Sequence, residues 1–275
     1  MVATAFQTKY RSEALYEFER TNSILTPFTT TDYTVNGEKI VFLTHSSNRE
    51  AVTRGSNGLI PASTGDQTQY ECVLEEAHDL TQKTRFDISR AQADQRRIMQ
   101  LEGLAVINRK RDAIILEELE AATTFVNAAA QVMSEELALQ WLTELWENDV
   151  PNDGQIVCAV TPRAWSYLNK LDSFSSSDYQ GERPWVTGPQ MKTWLGARWM
   201  MWTGLTGMGG ASATCLAWHP SAIGSGFSPD SFQAMAGYEE EQDYSWQLTS
   251  LFMGAKLLQN PGVMKLRHLD TSPGA

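Results

Sequence analysis

The sequence has few cysteines and no long apolar run. Its three cysteines, Cys72, Cys158 and Cys215, lie far apart, and no CxxC pair occurs. This odd, scattered set excludes the disulfide framework that stabilises small secreted domains, and a reducing cytosol is the natural setting. No apolar run approaches the roughly 18 residues of a membrane span, and the first ten residues lack a signal-peptide core. We therefore expect a protein that is made and used in solution, without a membrane partner.

Basic residues are also scarce. The 275 residues include 22 Lys and Arg against 33 Asp and Glu, which gives a formal net charge of −11. Gripping nucleic acid by its phosphates needs clustered Lys and Arg, so this balance argues against a dedicated nucleic-acid-binding protein. It does not exclude a protein that stays near nucleic acid without adhering to it. The 42% hydrophobic content is that of a globular chain, with room for one elaborate domain or two small ones.

The residue patterns that carry enzyme chemistry are missing as well. The glycine-rich stretch at 204–210 lacks a following GK[ST] and leads from one predicted strand to another, so it does not predict a phosphate loop. Gly224-Ser225-Gly226 lacks the frame of a serine nucleophile, and the acidic run at 239–241 is typical of a solvated loop. The histidines lie outside any metal-binding spacing: His45, His78, His219 and His268. The sequence predicts no catalytic residue, no cofactor and no metal.

One outsized helical stretch, from about residue 86 to 123, dominates what the sequence does contain. Ser89 with Gln92 forms a capping-box pattern at its start. A single helix of roughly 33 residues would be about 50 Å long, which exceeds what a compact domain needs. The alternative is two ordinary helices, broken near Gly103 or at the charged segment 108–112.

The chain before this helix predicts two segments without a core of their own. Residues 1–32 begin with apolar residues at helical spacing, including Tyr10 and Phe18, and then become rich in Thr and Ser, as in an arm that lies on another surface. Asn36-Gly37 predicts a hairpin, and a long polar loop from His45 to Gln69 separates one strand from its return. Such a two-stranded excursion is not stable alone in water and needs a partner surface, unless it is a mobile flap such as a substrate lid.

The chain after the helix alternates helices with buried strands, which predicts an α+β fold. Thr161 and Pro162 have the residue types of a helix N-cap and first helical position. Two strands at the end, Trp246 to Leu257 and Met264 to Leu269, are predicted to form a hairpin through a Pro-Gly turn. The other predicted elements are a helix from Ser134 to Asn148, strands at Gln155 to Val160, Thr193 to Thr203 and Ala213 to Trp218, and a short helix from His219 to about Gly224.

This order of elements resembles the major capsid proteins of tailed bacteriophages, with the Hong-Kong-ninety-seven type fold. The resemblance rests on the arm, the excursion, the long helix, and the later segments Gln155-Ile-Val-Cys-Ala-Val160, Ala213-Thr-Cys-Leu-Ala-Trp218 and Gln247 to Leu258. It implies an N-terminal arm at 1–32, an extended β-hairpin loop at 33–84, a peripheral domain with the spine helix at 85–150 and 240–275, and an axial domain at 151–239.

The resemblance implies a function by contact instead of catalysis. The chain would self-assemble into the pentamers and hexamers of an icosahedral shell that encloses double-stranded phage DNA without sequence specificity. The implied partners are copies of itself, a separate scaffolding protein, a portal and possible decoration proteins, and the implied location is the virion, assembled in the host cytoplasm. Some relatives cross-link a loop lysine to an asparagine of a neighbour, but no motif here supports such a bond. The alternatives are an encapsulin-like nanocompartment shell, a different virion part such as a tail or portal component, or an enzyme with a lid at 45–69.

Contact between subunits would then fall on the arm, the loop and the long helix. The candidate contact residues are aromatic or apolar in the arm and loop tip, and otherwise mostly basic: Tyr10, Phe18, Arg49, Arg54, Asn57, Ile60, Arg85, Arg109 and Arg111.

Overall fold

The structure is a computed structural model, and it describes residues 22–36, 38–46, 51, 53–54, 58, 65–86, 95–175 and 191–271. Within this part of the chain, no helix has both the length and the apolar character needed to span a membrane. The strands in chain order are β1 Thr30–Asp32, β2 Val35–Asn36, β3 Lys39–Ser46, β4 Asp66–Val73, β5 Glu75–Thr84, β6 Val157–Val160, β7 Met191–Trp194, β8 Ala197–Met201, β9 Ala213–Trp218, β10 Ile223–Phe227, β11 Gln233–Glu239, β12 Tyr244–Leu257 and β13 Val263–His268. The helices are α1 Gln95–Glu120, α2 Glu135–Glu147, α3 Pro162–Leu168 and α4 Asp172–Ser175.

Helix α1 is a single helix of 26 residues, and it runs without a break through Gly103 and the charged segment. At 1.5 Å per residue it is about 39 Å long. Gly103 lies where the helix meets strand β12: a Cβ there would be 2.7 Å from Thr249 Oγ1, so the helix can approach the strand this closely only with glycine. The prediction of one long helix is confirmed over these residues, whereas the predicted capping box at Ser89 and Gln92 lies outside the described residues.

Helix α1 covers one face of a five-stranded sheet, here called the spine sheet. Its path is β1-β10-β12-β11, and β5 pairs with the opposite edge of β12. Alternate residues of β12, among them Thr249, Leu251 and Met253, are buried on the helix side, and they meet Ile107, Ile115 and other core residues. The spine sheet and α1 therefore form two layers around one core.

A second five-stranded sheet, β13-β9-β6-β8-β7, forms the other half of the molecule. Its strand β6 is buried at every position, as expected in the middle of a covered sheet. Helix α2 packs Trp141, Leu142 and Leu145 into this half, and the Trp141 and Trp199 rings meet edge to face with centroids 5.8 Å apart. Thr161 caps α3 by accepting a hydrogen bond from the Ala164 N–H at 3.1 Å, as predicted.

The excursion is a separate small sheet of β2, β3 and β4. The predicted hairpin is confirmed by the antiparallel pairing of β2 with β3, although Asn36, predicted in the turn, already lies in β2 opposite Lys39. Strands β3 and β4 then pair along eight residues, from Lys39 opposite Val73 to Ser46 opposite Asp66. Strand β5 carries the chain back along the edge of the spine sheet towards α1.

Three predictions about the later strands were wrong. Trp246 to Leu269 is no hairpin, because β12 belongs to the spine sheet and β13 pairs with β9 in the second sheet. The predicted strand from Thr193 to Thr203 is two strands, because Leu195 and Gly196 both take positive φ and turn the chain. The short helix predicted after His219 is one 3-10 turn, and Gly224 already lies in strand β10.

The two sheets also divide the chain differently from the predicted domain bounds. Strands β10 and β11, expected in the axial domain, lie in the spine sheet, and β13, expected with the long helix, lies in the second sheet. The chain therefore crosses from the second sheet to the spine sheet after β9, and it returns to the second sheet after β12.

Candidate functional site

The arm joins the body at a buried carboxylate in the middle of α1. Asp112 is 4% exposed, and its oxygens accept hydrogen bonds from Ser23 Oγ at 2.6 Å and from the Ile24 and Leu25 N–H groups at 3.2 Å each. These bonds fix the position and direction of the short segment from Ser23 to Leu25 on the body. The charged segment 108–112 of α1 thus includes a carboxylate with a structural role.

Past this point the arm becomes an edge strand. Strand β1 pairs in parallel with β10, Thr29 Oγ1 lies 2.5 Å from Ser225 Oγ, and the Trp218 indole N–H donates to the Phe28 carbonyl at 2.9 Å. Leu25 is 1% exposed. The end of the arm is therefore a fixed part of the spine sheet.

The root of the excursion hairpin (β3 and β4) crosses the opposite face of the spine sheet on three glycines. A Cβ on Gly224 would meet the Phe42 ring at 2.8 Å, one on Gly254 would meet the Val73 carbonyl at 2.7 Å, and one on Gly226 would clash with Ile40. The root is packed by Ile40, Phe42, Cys72 and Leu258, which are all buried. These contacts hold the hairpin at one fixed angle to the sheet.

The direction of the hairpin follows from these contacts. Ile40 lies over Gly226, which pairs with Gly254, and Phe42 lies over Gly224, which pairs with Lys256. Strand β3 therefore runs from the level of Gly254 towards the C-terminal end of β12 and beyond. The paired strands β3 and β4 therefore extend past the end of β12 that lies opposite to Trp246, which is eight residues or about 27 Å of strand away from Gly254.

The rest of that sheet face combines apolar residues with polar ones, because Gln233, Ser250 and His78 form the row between Leu248 and Phe252. Leu80 on β5, Leu248 on β12 and Met235 on β11 are neighbours across the strands, and Leu80 and Met235 are 57% and 48% exposed. Trp246 lies half-buried across Gly237, whose Cβ would be 2.6 Å from the ring, and Phe252 is 37% exposed. We call these five residues (Leu80, Met235, Trp246, Leu248 and Phe252) the outer band. Clustered exposed apolar residues of this kind, with polar residues beside them, mark an interaction site in soluble proteins.

A glycine-rich loop at 204–212 connects β8 to β9 in the second sheet, and two carboxylates hold it by hydrogen bonds. Glu120, the last residue of α1, accepts hydrogen bonds from Thr206 N at 3.3 Å and Thr206 Oγ1 at 2.8 Å. Asp270, 1% exposed, accepts from Gly209 N at 2.6 Å and from the capping Thr161 Oγ1 at 2.7 Å. The loop tip carries Met208, which is 45% exposed.

Beside Asp270 lies the fully buried ring of His268. Its Nδ1 is 3.1 Å from the Gln131 carbonyl oxygen, and its Nε2 is 3.8 Å from Asp270 Oδ1 without a hydrogen-bond partner. Burial lowers the pKa of His268, while the Gln131 carbonyl and the Asp270 charge oppose that shift. The neutral ring acts as a packing element of the second sheet.

Other ionisable groups that could serve chemistry are structural in this arrangement. Burial raises the pKa of the Cys72 thiol to about 11, that of Cys215 to about 12 and that of Cys158 well above its ordinary value, so these thiols stay protonated. No group of three or more His, Cys, Asp or Glu side chains that could hold a metal occurs among the described residues. Asn260 is engaged just after the end of α1: its side chain accepts a hydrogen bond from Thr123 N and donates one to Thr123 Oγ1, both at 3.0 Å.

The predicted contact residues fall in different surroundings. Arg54 and Arg109 are exposed, and Arg85 is exposed with its backbone N–H bonded to Asp243 O at 3.2 Å. Arg111 is half-buried, with its guanidinium 4.2 Å from the centre of the Phe227 ring, and burial lowers its pKa. The remaining candidates lie outside the described residues: Tyr10, Phe18, Arg49, Asn57 and Ile60.

Sequence reasoning missed the outer band, because its members come from three separate strands. Period-two alternation from Tyr244 to Thr249 was the available signal, since Tyr244, Trp246 and Leu248 fall on one face of the strand and Ser245, Gln247 and Thr249 on the other. Which face α1 would cover was not readable from the pattern.

A spine sheet covered by a long helix, a second mixed sheet, an arm and an excursion hairpin together define the fold of a phage major capsid protein. The model of the phage capsid protein family matches residues 2–270, and the chain belongs to that family. As a capsid protein it is a component of the virion.

Solved structures agree on the fold. The chain is similar to a structure from Mycobacterium phage Che8, with a TM-score of 0.76 and 16% identity over 97% of this chain and 98% of that chain. It is similar to the capsid of Ralstonia phage GP4, with a TM-score of 0.76 and 11% identity over 99% and 97%. The capsid of cyanophage P-SCSP1u gives a TM-score of 0.72 and 12% identity over 97% and 94%. A comparison with curated proteins found no match.

Proposed function

We propose that this chain builds a closed icosahedral shell from pentamers and hexamers of itself, and that the shell encloses double-stranded DNA. The observation that carries the proposal is the outer band, an apolar surface left open beside a hairpin that points away from its own body. One copy offers a projecting hairpin at one end and an open apolar surface at the other. Contacts of this head-to-tail kind close into rings when the rotation between copies is right.

The family and the charge favour a DNA shell over the encapsulin-like alternative. The matched family is one of phage capsid proteins, and a net charge of −11 limits adhesion of the shell to packaged DNA. Shells prepared empty should therefore not bind DNA at low salt. A separate scaffolding protein, a portal and possible decoration proteins complete the proposed set of partners, and assembly takes place in the host cytoplasm.

The proposed action is contact, not catalysis. The thiols of Cys158 and Cys215 are buried in the core of the second sheet, and that of Cys72 is buried in the root of the hairpin. We assign α1 and the spine sheet to the peripheral domain, and the second sheet with α2, α3 and α4 to the axial domain. Inter-subunit contact falls on the arm, the loop tip and the exposed arginines of α1 and its approach: Tyr10, Phe18, Arg49, Arg54, Asn57, Ile60, Arg85, Arg109 and Arg111.

Sedimentation followed by negative-stain microscopy tests the proposal, with and without a co-expressed scaffolding candidate. Closed particles or ring-shaped capsomers are expected. A monomer or dimer under every condition would contradict it. Charge reversal at the loop tip, Arg54→Glu, should reduce the yield of particles, whereas Arg198→Glu, an exposed arginine on β8, serves as the matched control.

A further inference from the structure

Strand β11 is an open edge of the spine sheet. It pairs with β12 along seven residues, from Gln233 opposite Ser250 to Glu239 opposite Tyr244. In the described part of the chain no strand pairs with its other edge. An open edge presents unpaired N–H and C=O groups in a row, and these can pair with a strand of another chain.

This edge lacks the protection that the opposite edge has. Strand β5 carries Glu75, Glu76, Asp79 and Lys83, charges of the kind that discourage pairing with another strand. Strand β11 has the sequence Gln-Ala-Met-Ala-Gly-Tyr-Glu, with no proline and no charge before Glu239. Its residues from Gln233 to Ala236 are all exposed. The contrast between the two edges points to β11 as the edge that is meant to pair.

The sequence of β11 is complementary to itself. In an antiparallel pairing centred on Ala236, Met235 faces Gly237, Ala234 faces Tyr238, and Gln233 faces Glu239. Each large side chain then meets a small one, and the one acidic residue meets an amide instead of a second carboxylate. Directly opposed pairs of this kind are favourable, whereas opposed like charges are destabilising.

The sheet face beneath supports the same register. Trp246 lies across Gly237 on the exposed face, so the Met235 side chain of a second copy, placed opposite Gly237, would reach this ring. Contacts between a thioether and an aromatic ring are favourable. The outer bands of the two copies would also meet at the axis and form one longer apolar surface.

We propose that β11 pairs with β11 of a second copy about a two-fold axis, which joins two spine sheets into one continuous sheet. The contact is isologous, whereas contacts within a pentamer or hexamer are head-to-tail, so it connects subunits of neighbouring capsomers. This inference rests on the proposed shell function.

A single cysteine at the centre of the pairing tests the geometry. In Ala236→Cys the two Cβ atoms face each other at about 4.5–5.5 Å, close to the range that a disulfide spans. The three native cysteines are buried and do not compete. Mild oxidation of Ala236→Cys particles should give a covalent dimer, and Leu139→Cys, 47% exposed on α2, should not.

A charge exchange at the same position tests the symmetry. Ala236→Lys and Ala236→Glu each place like charges opposite one another on the axis, so each alone should lose particles, and a mixture of the two should recover them. Recovery of particles in the mixture of Ala236→Lys and Ala236→Glu would support the pairing, as would a covalent dimer of Ala236→Cys.

The β11 pairing and the shell function can be disproved separately. Normal particles whose Ala236→Cys dimer is no more abundant than that of Leu139→Cys would overturn the β11 pairing and leave the shell function in place. Particles of either charge variant alone in wild-type yield would also overturn the pairing. A wild-type chain that never forms particles or capsomers would overturn the shell function itself.

Discussion

The two sheets of this molecule differ in how much of their surface is buried. The second sheet has its strand β6 buried at every position and draws Trp141, Trp199 and Trp218 into fully buried sites. The spine sheet is covered by α1 on one face, and on the other by the root of its own hairpin over only part of its length. We infer from this difference that the second sheet mainly stabilises the fold, while the spine sheet leaves a surface exposed for contact with other copies.

Trp199→Ala should give the largest loss of stability, because it tests the contribution of the buried second sheet. Replacing a fully buried tryptophan leaves a large cavity, and the free energy of unfolding should fall by about 3–5 kcal/mol. Urea unfolding of the unassembled chain measures it. Leu248→Ala on the outer band is the control and should change that free energy by less than about 1 kcal/mol. Equal losses at both positions would refute the contrast between the sheets.

Asp112→Asn should loosen the arm with an intermediate effect. Asparagine has an NH₂ group in place of one carboxylate oxygen, so a donor would face the N–H and O–H donors of the arm. An unsatisfied buried group costs about 1–3 kcal/mol. Limited proteolysis should cut the chain near Ser23 to Phe28 faster in the variant. Glu117→Gln, on the exposed side of the same helix, should leave the cleavage rate unchanged. Equal cleavage of Asp112→Asn and the wild type would contradict the role of Asp112.

The smallest effect is expected at His268 in the second sheet, which should make the free energy of unfolding depend on pH. Its folded pKa is lowered below the ordinary value of 6.5, so the unfolded chain binds the proton more readily. The stability from the neutral ring is therefore present above pH 6.5 and is lost as the pH falls through that value towards the folded pKa. Denaturant unfolding between pH 8 and pH 5 should show a shallower decline in His268→Gln than in the wild type. Identical pH slopes would show that the ring does not titrate differently in the two states.

Local signals in the sequence were sufficient for the elements that depend on neighbouring residues. The long helix, the capped helix at Pro162 and the hairpin at Asn36 were predictable, because caps, turns and helical spacing act over a few residues. The closing strands were not, because the choice between pairing β13 with β12 or with β9 depends on partners about 50 residues away. The outer band and the β11 edge escaped prediction for the same reason.

The sequence by itself determined the class of protein: an acidic, cysteine-poor α+β chain without catalytic motifs, whose arm and excursion need another surface. Composition and local periodicity decide these properties, since each depends on residue types and short-range spacing. Only the tertiary structure decided which face of the spine sheet stays open, which carboxylate holds the arm, and which strand edge remains unpaired. Those outcomes depend on how α1 and the hairpin share the two faces of one sheet, and no short stretch of sequence contains that division.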